Sequence, residues 1–287
     1  MIVIEVSGGL GNQMFQYALY KKMETLHKDV ALDTSFFHSN QKLRKFELSI
    51  FDVRYRHVPD QEAAYIRGYG YQDTFFDKVK YKLKPSRYTI YYDLIERYQP
   101  EIFEMCNVYL SGYWQCEKYF KDIRNILLKE FSFPKEIKEK TANLSAELIS
   151  ENSVSIHIRR SDYLSEKNRN VYGNICTEQY YENAIDYVEQ FIEKPKYYIF
   201  SDDLEWARNQ FKGNNYVVVD KNRGKDSYID MYLMSQCRCN IIANSSFSWW
   251  AAWLNQNPEK IVLAPKKWFQ NHDKEDIVCE DWIRIEN

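Results

Sequence analysis

Apolar residues recur along this chain with two different periods, and the changes between them mark the elements. Residues 2–6 are nearly all apolar and run into Gly8-Gly9-Leu10-Gly11, which predicts a buried strand followed by a tight loop. From about Asn12 the residues Met14, Phe15, Ala18, Leu19, Met23 and Leu26 fall at helical spacing and form one buried stripe. A short strand over 30–32 ends at Asp33. Residues 34–105 carry no regular period; they are aromatic, basic between Lys78 and Arg97, and interrupted by Pro59, Pro85 and Pro100. A polar helical stretch over 134–152 predicts a junction, giving domains 1–145 and 146–287. Beyond it, strands at 154–158, 197–200, 216–219, 240–243 and 261–264 alternate with helices near 177–192, 204–211, 227–236 and 246–255. That alternation predicts an α/β fold with a parallel sheet covered on both faces, the strand at 261–264 being the last. Ligands of such sheets bind at the carboxyl ends of the strands.

Composition narrows the class. At 287 residues, 45% hydrophobic and 28% charged, the chain has enough apolar material for two ordinary cores. Lys and Arg number 39 against 41 Asp and Glu, interspersed, which excludes the basic footprint of a nucleic-acid binder. The cysteines at 106, 116, 176, 237, 239 and 279 form no CxxC pair, and the histidines at 27, 38, 57, 157 and 272 are scattered. No zinc-ligand spacing results, and reduced thiols are expected. The opening segment has no basic n-region, and no run of about 18 apolar residues spans a bilayer. A cytoplasmic protein is expected, soluble or resting peripherally on the inner face of a membrane. Aromatic residues (24 Tyr, 16 Phe, 7 Trp) suit sugar faces and cores equally.

Four segments at predicted strand ends carry chemistry. Gly9-x-Gly11 before a helix, with Asp33 after the next strand, fits a dinucleotide fingerprint except that its third glycine falls on Met14. The loop therefore reads either as a tight turn or as backbone amides brought near an anion. His157 closes an apolar strand and Arg159-Arg160-Ser161-Asp162 follow. Two guanidinium groups at a strand end match pyrophosphate oxygens bidentately, or they pair with Asp162 on the surface. His157 is either a satisfied core histidine or a contact to a base or ribose. Asp202-Asp203 ends the next strand, one as a helix cap and the other free for a base or ribose. No Asp-x-Asp occurs, so charge neutralisation by arginine is favoured over a metal. Finally Asn244-Ser245-Ser246-Phe247 opens a helix and can offer hydroxyls and amides to a phosphate, while Trp249, Trp250 and Trp253 are expected to pack that helix onto the sheet.

Together GGLGNQMFQYA (8–18), HIRRSDY (157–163), YIFSDDLEW (198–206) and IIANSSFSWWAAWL (241–254) resemble the α-1,2-fucosyltransferases of the bacterial and blood-group H type, in order and spacing. The resemblance implies the GT-B architecture, two Rossmann-type domains facing across a cleft, with the donor on the C-terminal half and the acceptor side on the N-terminal half. It implies inverting transfer of fucose from GDP-fucose to the 2-hydroxyl of a terminal β-galactose, as in O-antigen or surface polysaccharide synthesis, without a metal or other cofactor. Position by position it implies that His157 contacts guanosine and Arg159 the β-phosphate, with Arg160 supporting. Asp202 or Asp203 would recognise guanine, and Ser245, Ser246 and Phe247, with Asn244 beside them, would hold the nucleotide. Gly9, Asn12 and Gln13 would close over the pyrophosphate. Ser161 departs from the glycine frequent in the family. Asp162 is the candidate general base or a helix cap. Two other readings stand beside this one: a nicotinamide oxidoreductase using the opening loop and Asp33, and a non-catalytic glycan-binding protein.

Overall fold

The computed structural model describes residues 1–39, 44–70, 74–83, 85–94, 97–166, 168–271 and 275–287. His272 and parts of the basic 78–97 stretch (84, 95 and 96) lie outside them. The chain divides into two compact units, 1–132 and 133–287.

In the first unit, β1 (Ile2–Glu5) leads into α1 (Leu10–Leu26), and β2 (Val30–Asp33) follows. The turn between β1 and α1 depends on glycine: Gly8 has φ +79°, and a Cβ there would meet Asn12 Nδ2 at 2.8 Å. Helix α1 starts at Leu10, two residues before the sequence pattern suggests, because Gly9 is already the extended residue that caps it. The segment without a sequence period has regular elements among its described residues. It contains α2 (Ser35–Ser39), α3 (Asp60–Arg67), α4 (Phe75–Leu83) and β3 (Thr89–Tyr92), with β4 (Val108–Ser111) and α5 (Arg124–Glu130) beyond it. The sheet runs β2-β1-β4-β3 with every pair parallel. β3 escapes sequence reading because all four of its residues are partly or fully exposed, so it has no apolar run.

The second unit opens with α6 (Lys135–Lys140) and α7 (Ala142–Ser150). These helices move the division from 145/146 to 132/133: α7 packs on the strand that follows it, and its Glu147 accepts hydrogen bonds from Lys196 Nζ (2.6 Å) and Tyr198 Oη (2.7 Å). Then come β5 (Ser153–Ile158), α8 (Glu178–Glu189), β6 (Lys196–Ser201), α9 (Leu204–Gln210), β7 (Tyr216–Val219), α10 (Tyr228–Met234), β8 (Cys239–Ile241), α11 (Ser246–Leu254), β9 (Ile261–Pro265) and β10 (Ile283–Ile285). The sheet order is β10-β9-β8-β5-β6-β7, all parallel. The strand at 261–264 is thus not the last: β10 extends the edge beside β9, and its three residues are too few to show a period.

β5 lies inside this sheet with all six residues buried. Successive side chains of a strand point to opposite faces. Val154, Ile156 and Ile158 therefore pack against Tyr180, Ala184 and Val188 of α8. Ser155 and His157 take the other face, where Asn240 Nδ2 donates to Ser155 Oγ (2.7 Å) and to Met234 O of α10 (2.8 Å). Trp249, Trp250 and Trp253 of α11 are at most 1% exposed and pack as core, as expected. All six cysteines are free thiols.

Candidate active site

Two arginines and three aspartates gather at the carboxyl ends of β5 and β6. Arg159 donates through Nη2 to Asp162 Oδ2 (2.9 Å), with its Nε 2.9 Å from Asp162 Oδ1 in the same ion pair, and its Nη1 lies 3.3 Å from Asp202 Oδ2. Among the described residues Asp162 begins no helix; its carboxylate is ion-paired with Arg159 instead of capping one. Arg160 lies over the Trp206 ring at 4.2 Å from its centroid, with Nε 3.4 Å from Asp203 Oδ2. The strand end itself is tied to β6, since Asp202 Oδ1 accepts from the amides of Arg160 (2.9 Å) and Ser161 (3.4 Å). Asp203 caps α9 by accepting from Trp206 N (3.1 Å). Both aspartates after β6 are thus occupied: one locks the arginine loop, the other starts a helix.

Beside them His157 is buried, with its ring 5.7 Å from that of Phe247 at the start of α11. Burial, and then the positive charge of Arg159, push its pKa down to about 3, so the imidazole is neutral. Its Nδ1 has no hydrogen-bond partner among the described residues. An unpaired buried ring nitrogen costs about 1–3 kcal/mol, which a ligand hydrogen bond would recover. Ser245 caps α11 by accepting from Phe247 N (3.3 Å), and Ser246 and Phe247 stand half-buried in its first turn. Asn244 is used differently. Its Nδ2 donates to Tyr172 O and Trp268 O (3.1 Å each) and its backbone O accepts from Tyr163 Oη (3.0 Å), so it anchors the loops around the strand end.

A cavity of about 460 Å³ opens beside the arginines. Arg159, Arg160, Tyr163, Tyr172, Glu178 and Glu182 are among its lining residues. Tyr163 and Tyr172 stack at 5.0 Å and 24°. Because the cavity includes the first turn of α8, it lies toward the sheet face opposite His157.

The opening loop of the first unit is arranged to hold itself. Gln13 is fully buried; Nε2 donates to Gly8 O (3.0 Å) and Lys45 O (2.9 Å), and Oε1 accepts from Glu47 N (2.8 Å). Asn12 Oδ1 accepts from Gln115 Nε2 (2.8 Å), and Glu47 takes the Leu10 amide at the start of α1 (3.0 Å). Gly9, the cap itself, has Arg44 Nη1 3.7 Å from where a Cβ would stand. Asp33 is not poised for a ribose: it is completely buried, ion-paired with Arg67, and accepts from Tyr109 Oη (2.7 Å) and Ser35 N (2.9 Å).

One residue was overlooked by sequence reading. Asp230, in the first turn of α10, has its carboxyl pushed up to about 7 by burial, partly offset by Asn222 Nδ2 at 2.7 Å. An acid in a helix's first turn reads as a favourable dipole partner and nothing more. Only its desolvation marks it. Helices α10 and α11 pack together and both begin at the carboxyl edge of the sheet, which places Asp230 on the same face as His157 and Phe247.

Residues 1–286 match glycosyl transferase family 11. The O-antigen biosynthesis glycosyltransferase WbnK of Escherichia coli is 33% identical, the alignment covering 98% of this chain and 99% of that one. An α-1,2-colitosyltransferase of Escherichia coli is 32% identical over 100% of this chain and 99% of its own. Among solved structures, the α-1,6-fucosyltransferase NodZ soaked with GDP-fucose superposes with a TM-score of 0.51 at 18% identity, covering 88% of this chain and 92% of that one. At that identity the likeness shows the fold, α/β with parallel sheets of the GT-B kind. The profile match over nearly every residue, joined by two full-length relatives, gives the assignment: the chain belongs to glycosyl transferase family 11.

Proposed function

We propose that this glycosyltransferase moves L-fucose from GDP-fucose to the 2-hydroxyl of a terminal β-galactose, with inversion, using arginine in place of a metal. The observation that carries the reading is Arg159, held by Asp162 and Asp202 at the end of β5 beside a neutral, unsatisfied His157. Carboxylates that fix a guanidinium also orient its donors, and a pyrophosphate arriving there exchanges with them. As the glycosidic bond breaks, negative charge grows on the β-phosphate, and Arg159 is aimed at that charge. His157 with Phe247, and Ser245 and Ser246 at the start of α11, hold the nucleoside on the α10–α11 face.

Guanine recognition is better assigned to Asp230 than to Asp202 or Asp203. The latter two are engaged by Arg159, Arg160, Ser161 and Trp206, whereas Asp230 has Asn222 as its hydrogen-bond donor. A carboxylate accepts from guanine N1–H and the 2-amino group together. Asp162 is a poor general base while a guanidinium covers both its oxygens. The cavity toward α8 is the seat we assign to the acceptor sugar; its volume suits a small ligand, and Glu178 supplies a carboxylate there. We keep the domain assignment of donor to the C-terminal half; the cavity brings part of the acceptor site to that half as well.

A second donor is favoured by the relative named an α-1,2-colitosyltransferase. Colitose is fucose without its 3-hydroxyl, and the same arginine site serves both. Transfer from each GDP-sugar to β-galactosides in EDTA, with the linkage read by NMR, tests the proposal. An α-1,2-fucosylated product supports it; product from the colitose donor alone assigns the second reading. Absence of transfer from either donor, or a requirement for metal, overturns it.

A further inference from the structure

We propose that α4 seats the first unit on an anionic lipid surface. The helix is a deliberate local structure. Thr74 and Asp77 cap each other across its first turn, with Thr74 N and Oγ1 donating to Asp77 Oδ2 (3.0 and 2.7 Å) and Asp77 N donating to Thr74 Oγ1 (3.3 Å). Along its nine residues Phe76, Val79 and Leu83 recur at i, i+3 and i+7, one above another on one face. A surface helix normally turns such a stripe inward. Here it faces out: Phe76 is 82% exposed, Leu83 76% and Val79 39%.

The charges beside the stripe decide what it meets. Residues 78–87 hold Lys78, Lys80, Lys82, Lys84 and Arg87 and no acid. Lys80 and Lys82, both exposed, fall on opposite sides of the apolar stripe at helical spacing. An apolar stripe between lysines is the pattern of a helix lying in the headgroup layer, with rings and methyls buried about 5–10 Å and the ammonium groups among the phosphates. A second copy of the same face is disfavoured, because it brings like charges together. A protein partner is also a poor match: specific interfaces bury roughly 1,200–2,000 Å², and one nine-residue helix offers a small fraction of that. A bilayer has no such minimum, and each basic residue near an anionic surface strengthens binding about fivefold.

The test is flotation of the full chain with phosphatidylcholine vesicles, with and without phosphatidylglycerol, over a range of salt. Binding is expected on the anionic vesicles only and falls as salt rises. The pairs Phe76→Ser/Leu83→Ser and Lys80→Glu/Lys82→Glu are each expected to lower the bound fraction about tenfold or more. Transfer between soluble substrates should stay at the parent level, which also reports that the variants fold. Failure to float with anionic vesicles overturns the proposal, as does flotation that neither pair changes. So does a concentration-dependent dimer that the serine pair abolishes, which would assign the face to self-association.

Discussion

Replacing Arg159 by alanine separates catalysis from folding. The side chain makes three polar contacts: two at 2.9 Å to Asp162 and one at 3.3 Å to Asp202. All three members are 20–37% exposed, so solvent can take over the carboxylates when the guanidinium is removed. Asp202 also keeps its backbone donors Arg160 N and Ser161 N. The stability loss is therefore small, within about 1 kcal/mol, the range of partly exposed ion pairs. On the proposed mechanism the transition state loses a donor directed at the leaving phosphate, which is expected to cost about 2.7–4 kcal/mol, or 10²- to 10³-fold in kcat. Arg159→Lys keeps the charge but cannot make the forked contact, and is expected to fall between the two. The assay is steady-state transfer from GDP-fucose, with thermal unfolding measured on the same samples. A variant with near-parent kcat refutes the role of Arg159. A variant that is inactive because it no longer melts cooperatively refutes the claim that the ion pairs are dispensable for folding.

Four further outcomes are expected. Asp230→Asn should remove the advantage of GDP over inosine diphosphate, which lacks the 2-amino group, a difference of about tenfold per hydrogen bond of ordinary strength; calorimetry with both nucleotides checks it. Its folded pKa of about 7 lies above the usual carboxylate value, so the folded state keeps a proton that the unfolded state has lost, and stability falls as pH rises from about 4 to 7; the asparagine variant should flatten that slope in pH-dependent melts. His157, neutral above about pH 3, should add no inflection to nucleotide binding between pH 5 and 8, and a His157→Gln variant should bind more weakly with the same pH profile in calorimetry. Arg67→Ala strands the fully buried Asp33 and should destabilise the first unit by about 3–5 kcal/mol in denaturant unfolding, with the Arg67→Met/Asp33→Leu pair recovering much of the loss.

The legible parts of this molecule share a cause. β5, β6 and β8 are short apolar runs ending in His-Ile-Arg-Arg, Ser-Asp-Asp and Asn-Ser-Ser, so the strand ends and the chemistry on them can be read together. The tryptophans of α11, expected to pack their helix onto the sheet, are core residues. What was missed lacks that contrast. β3 is partly or fully exposed at every residue, β10 has three residues, and α4 shows its apolar face to solvent. Gln13 looks like a ligand-facing amide next to a glycine loop until its partners, more than thirty residues away at Lys45 and Glu47, are seen.

Local pattern thus determined most strands and helices of the second unit, though not β10, together with the parallel α/β class and the arginine, aspartate and serine positions at the strand ends. These depend on φ/ψ preference and on side-chain period, both of which act between neighbours in the chain. Tertiary structure decided which of those side chains are spoken for. Asp33 is consumed by Arg67, Asp162 by Arg159, Asp203 by α9 and Asn244 by two loops, while His157 is left buried with an unpaired ring nitrogen and Asp230 is left half-buried with Asn222 beside it. The physical reason is that desolvation and pairing depend on distance in space, and residues far apart in sequence set both.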